Sequence, residues 1–111
     1  MINNNNENII MTRGDTLQYV FELEPTNNES VIELTSSYFT CRDENDVIQF
    51  QKSLGDGITR VADNKYQVRV APEDTASLDV GYYKYDNEIN YGDDKLTILK
   101  GTLKLEEDMT R

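Results

Sequence analysis

At 111 residues the chain is sized for one domain, and its 21 acidic against 11 basic residues leave a formal net charge of −10. That sign opposes binding to a phosphate backbone or to an anionic membrane surface, and it favours solubility. Seven Tyr and three Phe among 37% hydrophobic residues are too much apolar surface for a disordered segment, so one packed core is expected.

In chain order, Met1-Ile2 followed by Asn3 to Asn6 has neither the basic nor the apolar part of a signal peptide. Residues 1 to 8 read as a flexible polar arm, and residues 9 to 111 as a single domain. Asn8 to Thr12 predicts a short first strand, closed by a turn at Arg13-Gly14-Asp15. From Thr16 the period is two: Leu17, Tyr19, Phe21 and Leu23 take one face, Gln18 and Glu22 the other. Pro25 to Glu29 is a polar loop, and Val31 to Leu34 is expected to return as an edge strand.

Ser37 to Arg42 predicts a strand with Phe39 and Cys41 on one face, turned at Asp43 to Asp46 into Val47 to Gln51. Leu54 to Ile58 is a glycine-bounded turn into a strand ending at Val61. Ala62 to Lys65 is a second turn, after which Tyr66, Val68 and Val70 point inward. Ala71 to Leu78 fits one helical turn, with Pro72 at its first position and Glu73 and Asp74 at the positive end of its dipole. The last hairpin joins Tyr82–Tyr91 to Leu96–Leu105 across Gly92 to Lys95. Seven to nine short antiparallel strands with one helical turn near 72–78 describe an all-β sandwich or barrel.

Chemistry is thinly supplied. The chain has no histidine and one cysteine, Cys41, so the usual nucleophile–base pairs and transition-metal sites lack their components. Cys41 can form no intrachain disulfide and reads as a small core residue. Gly55-Asp56-Gly57 lacks the strand–helix setting of a phosphate loop. Asp43 to Asp46 and Asp93-Asp94 gather hard oxygen ligands, but neither has the spacing of a calcium loop, so solvated turns are expected. In the aromatic run Tyr83, Tyr85, Ile89 and Tyr91 share the inward parity, Asn87 shares it awkwardly, and Tyr82 points the other way. Arg13-Gly14-Asp15 is a strand-connecting turn and not an integrin ligand. The reading is therefore of a protein that is not an enzyme, with no catalytic residues, no cofactor, no metal, no small-molecule substrate and no nucleic-acid or membrane partner.

Three segments together resemble the immunoglobulin-like N-terminal domain of phage and prophage baseplate upper proteins. They are Thr12-Arg13-Gly14-Asp15-Thr16; Pro72 to Leu78 followed by Gly81-Tyr82-Tyr83-Lys84-Tyr85-Asp86; and Leu99 to Leu105 with Asp108-Met109-Thr110. Their order and spacing agree over about residues 9 to 110. The resemblance implies an immunoglobulin-like β-sandwich that serves as a structural or assembly module of a tail, baseplate or neck. It also implies a virion location after synthesis in the bacterial cytoplasm, with other virion proteins or copies of itself as partners. Family members often carry a coiled-coil or receptor-binding portion after this module, whereas this chain stops at Arg111. The alternative is a surface or secreted adhesin-type sandwich that binds glycans. The expected contact is the apolar first strand, Asn8, Ile9, Ile10, Met11 and Thr12, because an uncharged strand edge is a natural place for another chain to meet it.

Overall fold

A computed structural model describes residues 5–24 and 31–108. The strands are β1 (Asn5–Asn6), β2 (Ile9–Thr12), β3 (Leu17–Glu22), β4 (Ser36–Arg42), β5 (Ile48–Leu54), β6 (Gly57–Ala62) and β7 (Lys65–Val70). The short helix α1 (Pro72–Thr75) precedes two long strands, β8 (Gly81–Tyr91) and β9 (Asp94–Glu106). Hydrogen bonding runs β1-β9-β8-β4-β5-β6-β7-β3, with β2 continuing β1 along β9 in the same parallel register. Only a two-residue parallel contact joins β5 to β6. There the ladder folds over, so that β6-β7-β3 packs on β9-β8-β4-β5 as an immunoglobulin-like sandwich. Among the departures from the sequence reading, these N-terminal and β5–β6 pairings are parallel, and β9, at 13 residues, is longer than the expected Leu96–Leu105.

Alternation builds the core. Phe39 and Cys41 on β4, Tyr66, Val68 and Val70 on β7, and Tyr83, Tyr85 and Ile89 on β8 are buried, as their parity predicts. Phe39 is the hub: its ring stacks on Phe50 and Tyr85 and meets Tyr19 across the sandwich. Leu17, Tyr19 and Phe21 face this core but stay half-buried, because among the described residues β3 pairs on one side only, with β7. Residues 31–34 form no strand. They run irregularly, with Ile32 N–H donating to Asn64 Oδ1, and still bury Ile32 and Leu34.

The turns follow their local chemistry. Asp43 Oδ1 accepts from Asn45 N–H and Val47 N–H, which leaves Asp46 at φ 65°. Asn64 takes the left-handed position between β6 and β7. Asp74 Oδ2 accepts from Ala71 N–H at the start of α1 and pairs with Lys52 at 2.9 Å. Tyr83 donates to Asp79 O at 2.6 Å, the bond of a tyrosine corner before the penultimate strand.

Of the arm expected over residues 1 to 8, the described residues 5–8 lie along β9. Asn5 and Asn6 pair with Leu99 and Lys100, and Glu7 N–H donates to Lys100 O. Residues 1–4, the predicted loop Pro25 to Glu29, and Met109 and Thr110 lie outside the described residues.

Candidate functional site

The predicted contact strand lies along one side of the sandwich, and its pairing with β9 sorts its residues. Met11 is buried and Ile9 half-buried over the core, while Ile10 faces outward and is 66% exposed. Asn8 is exposed, and its Oδ1 accepts from Thr102 N–H; Thr12 is half-buried and its carbonyl caps the Arg13–Asp15 turn. Strand β2 thus covers its own core with one face and presents Ile10 with the other. Along the pairs Ile10–Lys104 and Lys104–Tyr82 the exposed side chains form a row, with Lys104 Nζ 5.7 Å from the centroid of the Tyr82 ring. Tyr82 is 69% exposed, which makes an apolar patch on the outer face of an acidic molecule, where Lys104 also pairs with Glu106 at 3.6 Å.

Gly101 explains why this edge can form. A Cβ there would stand 1.9 Å from Glu7 O, because the Glu7 carbonyl is turned onto β9. That carbonyl accepts at 2.7 Å from the hydroxyl of Tyr85, the residue paired with Gly101 on β8. Sequence reading placed Gly101 in the last strand and Tyr85 in the core, but no local pattern signals that the two jointly seat the N-terminal segment.

The three segments that carry the family resemblance meet at one end of this edge. Arg13 donates to Leu78 O at 3.2 Å and to Asp108 Oδ1 at 3.0 Å, and Gly14 N–H donates to the buried Thr75 hydroxyl at 2.9 Å. The Arg13-Gly14-Asp15 turn is thereby held inside the fold.

Of the two acidic turns, Asp93 and Asp94 are solvent-exposed, and Asp43 to Asp46 is engaged internally. Asp43 spends its carboxylate on its own turn and on Gln49, and Asp46 pairs with Lys84 at 2.7 Å, whose ammonium holds the Asp46 carboxyl below its ordinary range. Among the described residues no group of three or more His, Cys, Asp or Glu side chains could hold a metal ion. Cys41 is fully buried, and loss of solvation pushes its thiol up to about 12. Of the aromatic run, Tyr83 and Tyr85 are in the core, Tyr91 is half-buried and Tyr82 is the exposed ring.

No family model and no curated protein matches the chain. Among solved structures, CopC from Methylosinus trichosporium OB3b superposes with a TM-score of 0.48 at 13% identity, over 91% of this chain and 87% of that one. A likeness at that level carries no argument about what this chain does.

Proposed function

We propose that the chain is a non-catalytic structural module of a bacteriophage or prophage particle, in its tail, baseplate or neck, and that it works through contacts with neighbouring virion proteins and with copies of itself. The observation that carries the contact is the exposed row Ile10, Lys104 and Tyr82 beside a strand paired on one side only. Among the described residues Tyr82 and Ile10 are the most exposed of the large apolar side chains, and they fall on one row rather than scattered. The particle assignment rests on the sequence resemblance. It is supported by the convergence of the resembling segments on Arg13, since residues 65 and 95 positions apart become one packed unit. A chain without histidine whose single thiol is buried and held protonated fits a scaffold better than a catalyst.

Mass spectrometry of particles purified from the encoding host tests the assignment. The chain is expected at a fixed stoichiometry to the tail proteins, and its absence from intact particles would retire the reading. Exposure of Tyr82 gives the glycan-binding alternative its one foothold, and a glycan array on which Tyr82→Ala abolishes binding would favour it.

A further inference from the structure

The sandwich does not close. Strands β3 and β1–β2 end the ladder on opposite sides, and both border a cleft of about 430 Å³. On one side stand Glu7 and Ile9, on the other Leu17, Tyr19 and Phe21, with Ile98 and Leu99 of β9 between them. Ladder alternation shows which backbone groups face the opening. Leu23 N–H donates to Asn64 O in continuation of the β3–β7 register, so the odd residues of β3 bond β7. Gln18, Val20 and Glu22 therefore turn their N–H and C=O groups away from the sheet. Likewise Glu7 N–H and Arg13 N–H donate to β9, which leaves Asn8 and Ile10 pointing their main-chain groups away from it.

A side chain in this cleft is also unmet. Asn87 is 0% exposed; its Nδ2 donates to the Tyr19 hydroxyl at 2.8 Å, while its Oδ1 has no partner among the described residues. Exchanging the two ends of the amide would let Tyr19 donate to Oδ1 and strand the NH2 instead, so one polar atom of Asn87 is left over either way. The register shift between Asn87 and Glu88 against β9 lies at this point and brings Ile98 and Leu99 to the cleft side by side. Among the described residues, its charged lining is the carboxylates Glu7 and Glu22.

We propose that this cleft receives an extended peptide strand of a different protein chain, flanked by Lys or Arg, that pairs with the free β3 edge and sets one Ser, Thr, Asn or Gln side chain against Asn87. The inference rests on the assembly reading above and gives it a docking site. Two free strand edges call for main-chain pairing, the half-buried β3 side chains call for alternating apolar residues, and a side chain that both donates and accepts satisfies Asn87 in either orientation. The acidic lining and a net charge of −10 favour a basic segment and disfavour a second copy of this chain.

Selection of seven-residue peptides from a random display library on the folded domain, followed by NMR titration, tests this. Enriched peptides are expected to alternate apolar residues, to carry Lys or Arg at an end, and to shift the amides of Gln18, Val20 and Glu22. N-methylation of alternate peptide amides should weaken binding ~10-fold or more. Replacing the internal Ser, Thr, Asn or Gln by Val should weaken it ~5-fold or more for the native domain and leave Asn87→Leu unaffected. The proposal is overturned by a lack of enrichment, by shifts confined to the Ile10–Tyr82 face, or by an ordered water bridging Asn87 and Tyr19 with no peptide bound. Concentration-dependent shifts of the same amides without peptide would make the occupant a second copy, against the proposal. Particle mass spectrometry is independent of all of these: a domain present in particles that binds no peptide loses only the cleft, and one that binds peptide but is absent from particles loses only the virion assignment.

Discussion

Gly101 and Tyr85 show how a single position sets the fate of a whole edge. With its own Cβ aimed at the Glu7 carbonyl, an alanine at 101 has to expel the N-terminal segment or shift β9. Gly101→Ala is expected to destabilise the domain by about 1–3 kcal/mol, with faster hydrogen exchange at residues 5–8. Tyr85→Phe removes only the hydroxyl bond to Glu7 and should cost about 1 kcal/mol. An alanine variant as stable as the native protein would mean that the segment does not cross Gly101. Burial also sets an alkaline limit. Desolvation pushes the Cys41 thiol from an ordinary 9.0 to about 12 and the Tyr85 phenol from 10.0 to about 12, and it raises Tyr19 as well. The fold prefers the neutral form of each. The stability they contribute is therefore complete below their unfolded values and is lost as the pH rises past 9–10 toward 12. The urea midpoint should fall over that interval, with phenolate absorbance emerging together with unfolding. Tyrosines that all titrate near pH 10 in the folded protein would contradict it.

Among the elements, the four-residue helix α1 is too short to be stable by itself and is held by its neighbours. Lys52 crosses from β5 over Gly57, where a Cβ would stand 2.5 Å from its Cε, and reaches Asp74. Asp74→Ala removes both the bond to Ala71 N–H and the partner of a largely buried ammonium, and should cost about 2–3 kcal/mol. Lys52→Met keeps the apolar stem over Gly57 and leaves Asp74 its backbone donor, so about 1 kcal/mol is expected. Chemical melts of both variants and of the double variant measure the coupling, and equal losses from the two single changes would show that the ion pair alone matters. Strand β3 poses the opposite case. Its alternation is as regular as that of any strand here, yet its inward side chains remain half-buried because none of the described residues pairs with its outer edge.

For the whole molecule, charge and apolar exposure act against each other. A net charge of −10 repels a second copy, while Ile10 and Tyr82 favour one. Screening shortens the reach of the repulsion to ~10 Å at 0.1 M salt and leaves the apolar contact intact. Self-association is therefore expected to strengthen with salt in sedimentation experiments. Ile10→Thr combined with Tyr82→Ser, which changes no charge, should abolish it. A strict monomer at high protein concentration in low and moderate salt would leave docking to a different chain as the route of assembly.

Period-two alternation and turn chemistry were legible in the sequence because both are local: a pleated strand puts every second residue on one face, and Asn64, Gly55 and Gly57 sit where the backbone must turn at positive φ. The inward parity of Tyr83, Tyr85 and Asn87, the outward aim of Tyr82 and the single helical turn at Pro72 follow from the same short-range rules. Residues 31–34 have the composition of a strand, yet Ile32 N–H is taken by the Asn64 side chain, and Ile32 and Leu34 are buried without a ladder. Tertiary structure alone decided the parallel seating of residues 5–12 on β9, the crossing of Glu7 over Gly101, and the meeting of Arg13 with Leu78 and Asp108. It also decided the open cleft in which one atom of Asn87 is left without a partner among the described residues. Each of these depends on which distant strands become neighbours, and pairing between remote segments is selected by the packing of the whole core, which no window of local sequence contains.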